Sequence, residues 1–150
     1  MWFIKVLKEG YGMLRKRRII MAKMGLDSHD NALRIVSKWL ADGGYEVIYA
    51  GVYNSAERVL RMTIEESADA LGLSFLGGEH LHYVQKLIGL LREKGLEKVK
   101  IFVGGIIPPD DVAVMKEIGV DAVFTPGAKR AEILSTIDKC VGISEEPNEN

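Results

Sequence analysis

The feature that most constrains this chain is an alternation between two hydrophobic periods. Short runs of small and β-branched apolar residues alternate five times with longer stretches whose apolar residues recur every three to four positions. The first run, RIIMAKM at residues 18–24, predicts a strand. Residues 32–40 then place Leu33, Val36 and Leu40 on one helical face, and Gly43-Gly44 stops that helix. Residues 45–50 predict the second strand. Ser55 is suited to cap a helix running to residue 66, with Glu57 in its first turn. Residues 68–76 predict a third strand of small apolar residues. Residues 79–94 carry Leu81, Val84, Leu87, Ile88 and Leu91 on one face and end at Gly95. A fourth strand is predicted at 98–103, and Pro108-Pro109-Asp110 opens a helix through 118. A short strand at 121–124 and a helix at 129–141, with Ile133, Leu134 and Ile137 inward, complete the pattern.

Strands separated by helices pair in parallel, and a parallel sheet must be covered on both faces. The expected fold is therefore an α/β, doubly wound, five-stranded parallel sheet in the flavodoxin-like order 2-1-3-4-5. A length of 150 residues suits one such domain; a (β/α)₈ barrel needs roughly 200 or more. Residues 1–17 read as a basic leader, 18–141 as the domain and 142–150 as a disordered acidic tail. Seven cations among residues 1–25, including Arg15, Lys16, Arg17 and Arg18, face only Glu9, which suits either a solvated leader or an arm for an acidic surface. Over the whole chain the net charge is −1, which gives no reason to expect a nucleic-acid partner. No apolar run approaches the roughly 18 residues of a membrane span. The single Cys140 excludes an intrachain disulfide and favours a reducing, cytoplasmic location.

In a sheet of this order, ligands bind beyond the carboxyl ends of the strands, at the switch point between strands 1 and 3. The segments there are distinctive. After strand 1 comes Gly25-Leu26-Asp27-Ser28-His29-Asp30. An Asp two residues before a loop His can accept one imidazole N–H and leave the other nitrogen for a metal. The same residues also read as a helix-capping acid beside a surface His, with Asp30 suited to the cap itself. After strand 3 come Ser74, Leu76, Gly77 and Gly78; after strand 4, Gly104-Gly105-Ile106-Ile107-Pro108-Pro109; after strand 5, Thr125-Pro126-Gly127. Paired glycines let another body approach the backbone closely. A phosphate-accepting receiver domain would end strand 3 in Asp, where Ser74 stands. The G-x-G-x-x-G dinucleotide turn is absent after strand 1. Other polar or aromatic residues read as structural: His80 and His82 as partly exposed helix-start residues, Trp39 and Tyr45 as packing, Met62 and Met115 as core, Cys140 as a buried inert thiol.

Asp27-Ser28-His29-Asp30-Asn31-Ala32, Ser74-Phe75-Leu76 and Gly104-Gly105 together resemble the D-x-H-x-x-G, S-x-L and G-G motifs of base-off/His-on cobalamin-binding domains. The fuller strings at 22–30 and 104–110 resemble the methylmalonyl-CoA mutase branch, and the likeness spans roughly 18–141. Ala32, Ser28 and Glu79 depart from it, each standing where glycine is usual. The resemblance implies that His29 is the lower axial ligand of cobalt, that Asp27 hydrogen-bonds His29, and that Lys23 pairs with Asp27. It implies that Ser74 meets the displaced dimethylbenzimidazole. Leu76, Gly78, Gly104 and Gly105 would line the nucleotide slot, with Thr125 and Gly127 near its end, and Ser28 and Asp30 would lie beside the ligand loop. It further implies an adenosylcobalamin-dependent isomerase whose acyl-CoA substrate sits in a separate large subunit with a (β/α)₈ barrel, leaving no catalytic residue in this chain alone. A corrinoid carrier serving methyltransferases, or a non-catalytic cobalamin-binding scaffold, are the alternatives. Carriers usually place a helical cap before the domain, and only 17 residues precede the first strand here.

Overall fold

A computed structural model describes residues 16–26 and 28–142 of the chain. Most of the expected leader and tail, and Asp27, lie outside these. The elements follow the expected alternation: β1 (Arg18–Met24), α1 (Asn31–Asp42), β2 (Glu46–Asn54), α2 (Ala56–Glu65), β3 (Ala70–Phe75), α3 (His80–Glu93), β4 (Lys100–Gly105), α4 (Pro109–Ile118), β5 (Ala122–Phe124) and α5 (Arg130–Cys140). The strands form one sheet in the order β2-β1-β3-β4-β5, all neighbours parallel.

Two elements differ informatively from expectation. β2 runs four residues beyond the predicted residue 50, because Gly51 and Tyr53 adopt positive φ yet the strand continues through the irregularity. β4 is displaced toward the carboxyl end, so Gly104 and Gly105 lie within the strand, paired with Ser74 and Phe75, rather than after it. The ladder supplies their backbone partners, which a reading by hydrophobicity undervalues for glycine.

The pleat sends alternate residues to opposite faces. One face, with Ile20, Leu71, Leu73, Phe75, Ile101 and Val103, packs against α2, α3 and α4 through Val59, Val84, Leu87, Leu91 and Met115. The other, with Ile19, Met21, Ala70 and Phe102, packs against α1 and α5 through Leu33, Leu40, Ile133 and Ile137. Ser55 caps α2 as its sequence suggests, its hydroxyl accepting from the Arg58 N–H at 3.1 Å. Tyr45 is buried between α1 and α5 and donates its hydroxyl to Asp138 at 2.5 Å. Burial, and then this bond, hold its phenol protonated far above the ordinary tyrosine range. Among the described residues no helix is long and apolar enough to cross a membrane.

Candidate functional site

The site follows from two rows of residues on the α1/α5 face. Parallel register aligns Lys23, Ser74, Gly104 and Phe124 across β1, β3, β4 and β5. One pleat repeat below lie Met21, Gly72, Phe102 and Ala122. Central strands normally fill such positions with branched side chains. Here Gly72, Ser74 and Gly104 hollow the face, and a cavity of about 450 Å³ opens between α1 and α5. Its walls are apolar: Leu33, Val36 and Trp39 from α1, Ile133 and Ile137 from α5, Phe124 from β5. That size and lining suit an elongated organic group with few polar anchors.

The glycines of the site do different things. A Cβ on Gly105, whose φ is 133°, would stand 1.8 Å from the Phe75 carbonyl oxygen, so the fold itself demands glycine there. A Cβ on Gly104 would meet nothing closer than the Phe124 oxygen at 3.8 Å, an ordinary contact. Its bareness serves the space above it. Gly72 is intermediate: a Cβ would stand 2.4 Å from the Met21 sulfur, so that side chain, which borders the cavity, would have to move. Gly72 was not among the sequence candidates. Its signal was an isolated glycine between Leu71 and Leu73 inside a strand.

At the carboxyl-end mouth stands His29, exposed and lining the cavity, on the loop from β1 to α1. Lys23 reaches the same cavity from the floor while only 2% exposed. A buried ammonium needs compensating partners, and Lys23 is not left without one. Asp27, the expected link between Lys23 and His29, is outside the described residues. Ser74, Leu76, Gly104, Gly105, Thr125 and Gly127 all line the cavity with Lys23 and His29. Ser28, Asp30 and Gly78 do not.

Asp30 holds the helix-cap position of α1, but its side chain caps no backbone group. Its carboxylate instead accepts from Arg34 Nε at 2.9 Å and from the Tyr49 hydroxyl. These bonds, the Tyr49 one foremost, hold the carboxyl below the usual range. The Arg34 guanidinium also lies 5.1 Å over the Tyr49 ring. Charge-assisted partners from β2 and from one turn along α1 thus displace the expected cap.

His80 also departs from expectation: it is 2% exposed rather than a surface helix-start residue. Its Nε2 lies 2.6 Å from Asp111 Oδ2, tying the start of α3 to the first turn of α4. A partner 31 residues away leaves no local signal. His82 is exposed as expected, and Cys140 is half-buried.

Residues 17–135 match the family model described as B12 binding domain. The pivalyl-CoA mutase small subunit of Xanthobacter autotrophicus is 40% identical over 123 residues, covering 82% of this chain and 82% of that protein. The 2-hydroxyisobutanoyl-CoA mutase small subunit of Aquincola tertiaricarbonis is 35% identical over 124 residues, covering 83% of this chain and 91% of that one. Among solved structures, a cobalamin-binding protein of Desulfitobacterium hafniense DCB-2 superposes with a TM-score of 0.74 at 21% identity, over 85% of this chain and 60% of its own. At that identity the likeness concerns the fold.

Proposed function

The chain belongs to the B12 binding domain family, and from that premise we propose that it is the cobalamin-binding small subunit of an adenosylcobalamin-dependent acyl-CoA mutase. The observation that carries the reading is the glycine-floored cavity of about 450 Å³ with His29 at its mouth. Gly104 keeps clear the space that a side chain would occupy, and Gly72 makes room for the Met21 side chain at the cavity's edge, as a slot for a bulky nucleotide tail requires. The match to small subunits over most of their own lengths supports a separate catalytic partner.

In this reading His29 is the protein's ligand to cobalt. Lys23 and Asp27 act behind it, fixing the imidazole tautomer and tuning how strongly its nitrogen donates. Ser74 offers a hydroxyl inside a mostly apolar slot. Leu33, Val36, Trp39 and Phe124 exclude water along the walls. Thr125 and Gly127 border the far part of the slot. Bound adenosylcobalamin supplies radical chemistry through its weak cobalt–carbon bond. The chain's own task is to hold and orient that group, while a large subunit, which we expect to be a (β/α)₈ barrel, holds the acyl-CoA. Radical chemistry needs a closed, water-free chamber, and the carboxyl end of one open sheet forms only part of it.

The test is electron paramagnetic resonance of the cob(II)alamin complex with ¹⁵N-labelled protein. Splitting from one protein nitrogen is expected, and it should vanish in His29→Ala. Absence of that splitting in the unaltered protein would overturn the ligand assignment. Mutase turnover by this chain alone would overturn its role as a subunit.

A further inference from the structure

The carboxyl end of β2 is built against the backbone's preferences. Gly51 has φ 71° and Tyr53 has φ 62°. Glycine adopts that region freely, but a bulky aromatic residue does so under strain. Between them the register slips: Ala22 pairs with Gly51 and Met24 with Asn54, so two steps along β1 match three along β2. The extra residue is a bulge, a device that re-aims a side chain.

The side chain re-aimed is Asn54, which is 1% exposed. Its Nδ2 donates to the Lys23 carbonyl at 3.0 Å and to the Gly51 carbonyl at 2.9 Å. Its backbone carbonyl accepts from the Gly25 N–H at 3.1 Å. Asn54 therefore grips β1 on both sides of Met24, at the point where the chain turns into the loop carrying His29. Its Oδ1 is buried and has no hydrogen-bond partner among the described residues. A strained tyrosine beside an amide with an idle acceptor is a poor arrangement for stability. Holding one backbone stretch in place accounts for both.

We propose that Asn54 and the bulge at Tyr53 are positioning elements for His29, fixing where the ligand loop leaves the sheet. The inference rests on the reading of His29 as the cobalt ligand. A ligating side chain on a loop must be held within about 0.5 Å of its productive place, and that demands a fixed base.

Asn54→Ala should weaken cobalamin binding about 10- to 100-fold, the range seen when groups that orient a metal ligand are removed. At saturating cob(II)alamin a smaller fraction of cobalt should show splitting from the His29 nitrogen. If Asn54 serves the fold alone, the melting temperature falls while the saturated spectrum stays unchanged, and that result overturns the proposal. Should Asn54→Ala fail to fold, Tyr53→Gly and Tyr53→Val decide. Glycine accepts the bulge conformation and should keep the nitrogen signal. Valine resists it and should lose signal; equal spectra for the two overturn the proposal. If the unaltered protein shows no nitrogen splitting, the ligand reading has failed on its own account. Hydrogen exchange without cobalamin then decides the positioning claim. Asn54→Ala keeps the backbone carbonyl that Gly25 binds but loses the Nδ2 bond to the Lys23 carbonyl. The end of β1 should therefore loosen, and exchange at Gly25 and through 28–30 should speed about fivefold, the worth of that bond; unchanged exchange there overturns it.

Discussion

Gly104 and Gly105 are adjacent in sequence, yet alanine at each should produce opposite results. At Gly104 a methyl group finds ordinary contact distance within the protein. Replacing glycine by alanine in a strand removes backbone freedom from the unfolded chain and stabilises by about 0.4–1 kcal/mol where the native conformation allows it. For a chain of this size that is a rise of roughly 1–4 °C in Tm. The same methyl projects into the cavity floor, level with Ser74 and Lys23. Overfilling a fitted apolar site costs about 1–3 kcal/mol, which weakens binding about 5- to 150-fold. At Gly105 the methyl would stand 1.8 Å from the Phe75 carbonyl oxygen at a φ of 133°. Neither problem can be relieved by a side-chain rotation. The loss should exceed about 4 kcal/mol, the upper tail for single substitutions. The assay is a thermal melt of each variant beside an absorbance titration with cobalamin. Gly104→Ala binding as tightly as the unaltered protein would refute the placement of the slot. Gly105→Ala melting normally would refute the backbone argument.

Three further outcomes follow from particular contacts. Tyr45→Phe should lower stability by about 1 kcal/mol at neutral pH through loss of the bond to Asp138. Because the folded phenol is held protonated above its ordinary value near 10, its contribution is complete below about pH 10 and declines as pH rises past it; Tyr45→Phe should lack this alkaline decline in denaturant titrations at stepped pH. Asp111→Ala should destabilise by about 1–3 kcal/mol by leaving the buried His80 ring without its acceptor, and chemical denaturation gives the value. Tyr49→Phe should raise the titration midpoint of the Asp30 carboxyl toward the usual range, read by carboxyl ¹³C shifts, since the Tyr49 hydroxyl is the first cause of its depression.

The fold was legible because its information is periodic. Five changes of hydrophobic period give strand and helix in turn, and crossover handedness leaves few orders for a parallel sheet. The site was legible where residues of unusual type cluster at strand ends: His29, Ser74, Gly104 and Gly105 were all visible as types. Their reasons were not. Nothing in the letters separates Gly105, required by the Phe75 carbonyl, from Gly104, which the fold would let change. Gly72 escaped notice because a lone glycine in a strand looks like a weakness until register places it beside Met21 and Phe102. The end of β2 was misplaced because Gly51 and Asn54 are turn residues by composition, and only pairing with β1 shows the strand continuing past them. His80 and Asp111 meet through helix packing, which no local window contains.

The two faces of the sheet divide stability from binding, and β3 shows how. Leu71, Leu73 and Phe75 point to the α2–α4 side and are all buried in its core. Ala70, Gly72 and Ser74 point to the other side, where Ala70 is buried beneath α1 and α5 while Gly72 and Ser74 border the cavity. A strand with period two can serve both ends because a change on one face leaves the other untouched. The division has a consequence for α1. It packs over the sheet through Leu33 and Leu40, and the same two residues border the cavity together with Val36 and Trp39. A group filling that cavity would complete the core beneath α1, so binding should stabilise that segment. Stabilisation by a ligand grows only with the logarithm of its concentration over Kd. The α2–α4 face must therefore hold the domain folded before the ligand arrives, and its continuous apolar layer from Ile20 to Met115 is built to do so.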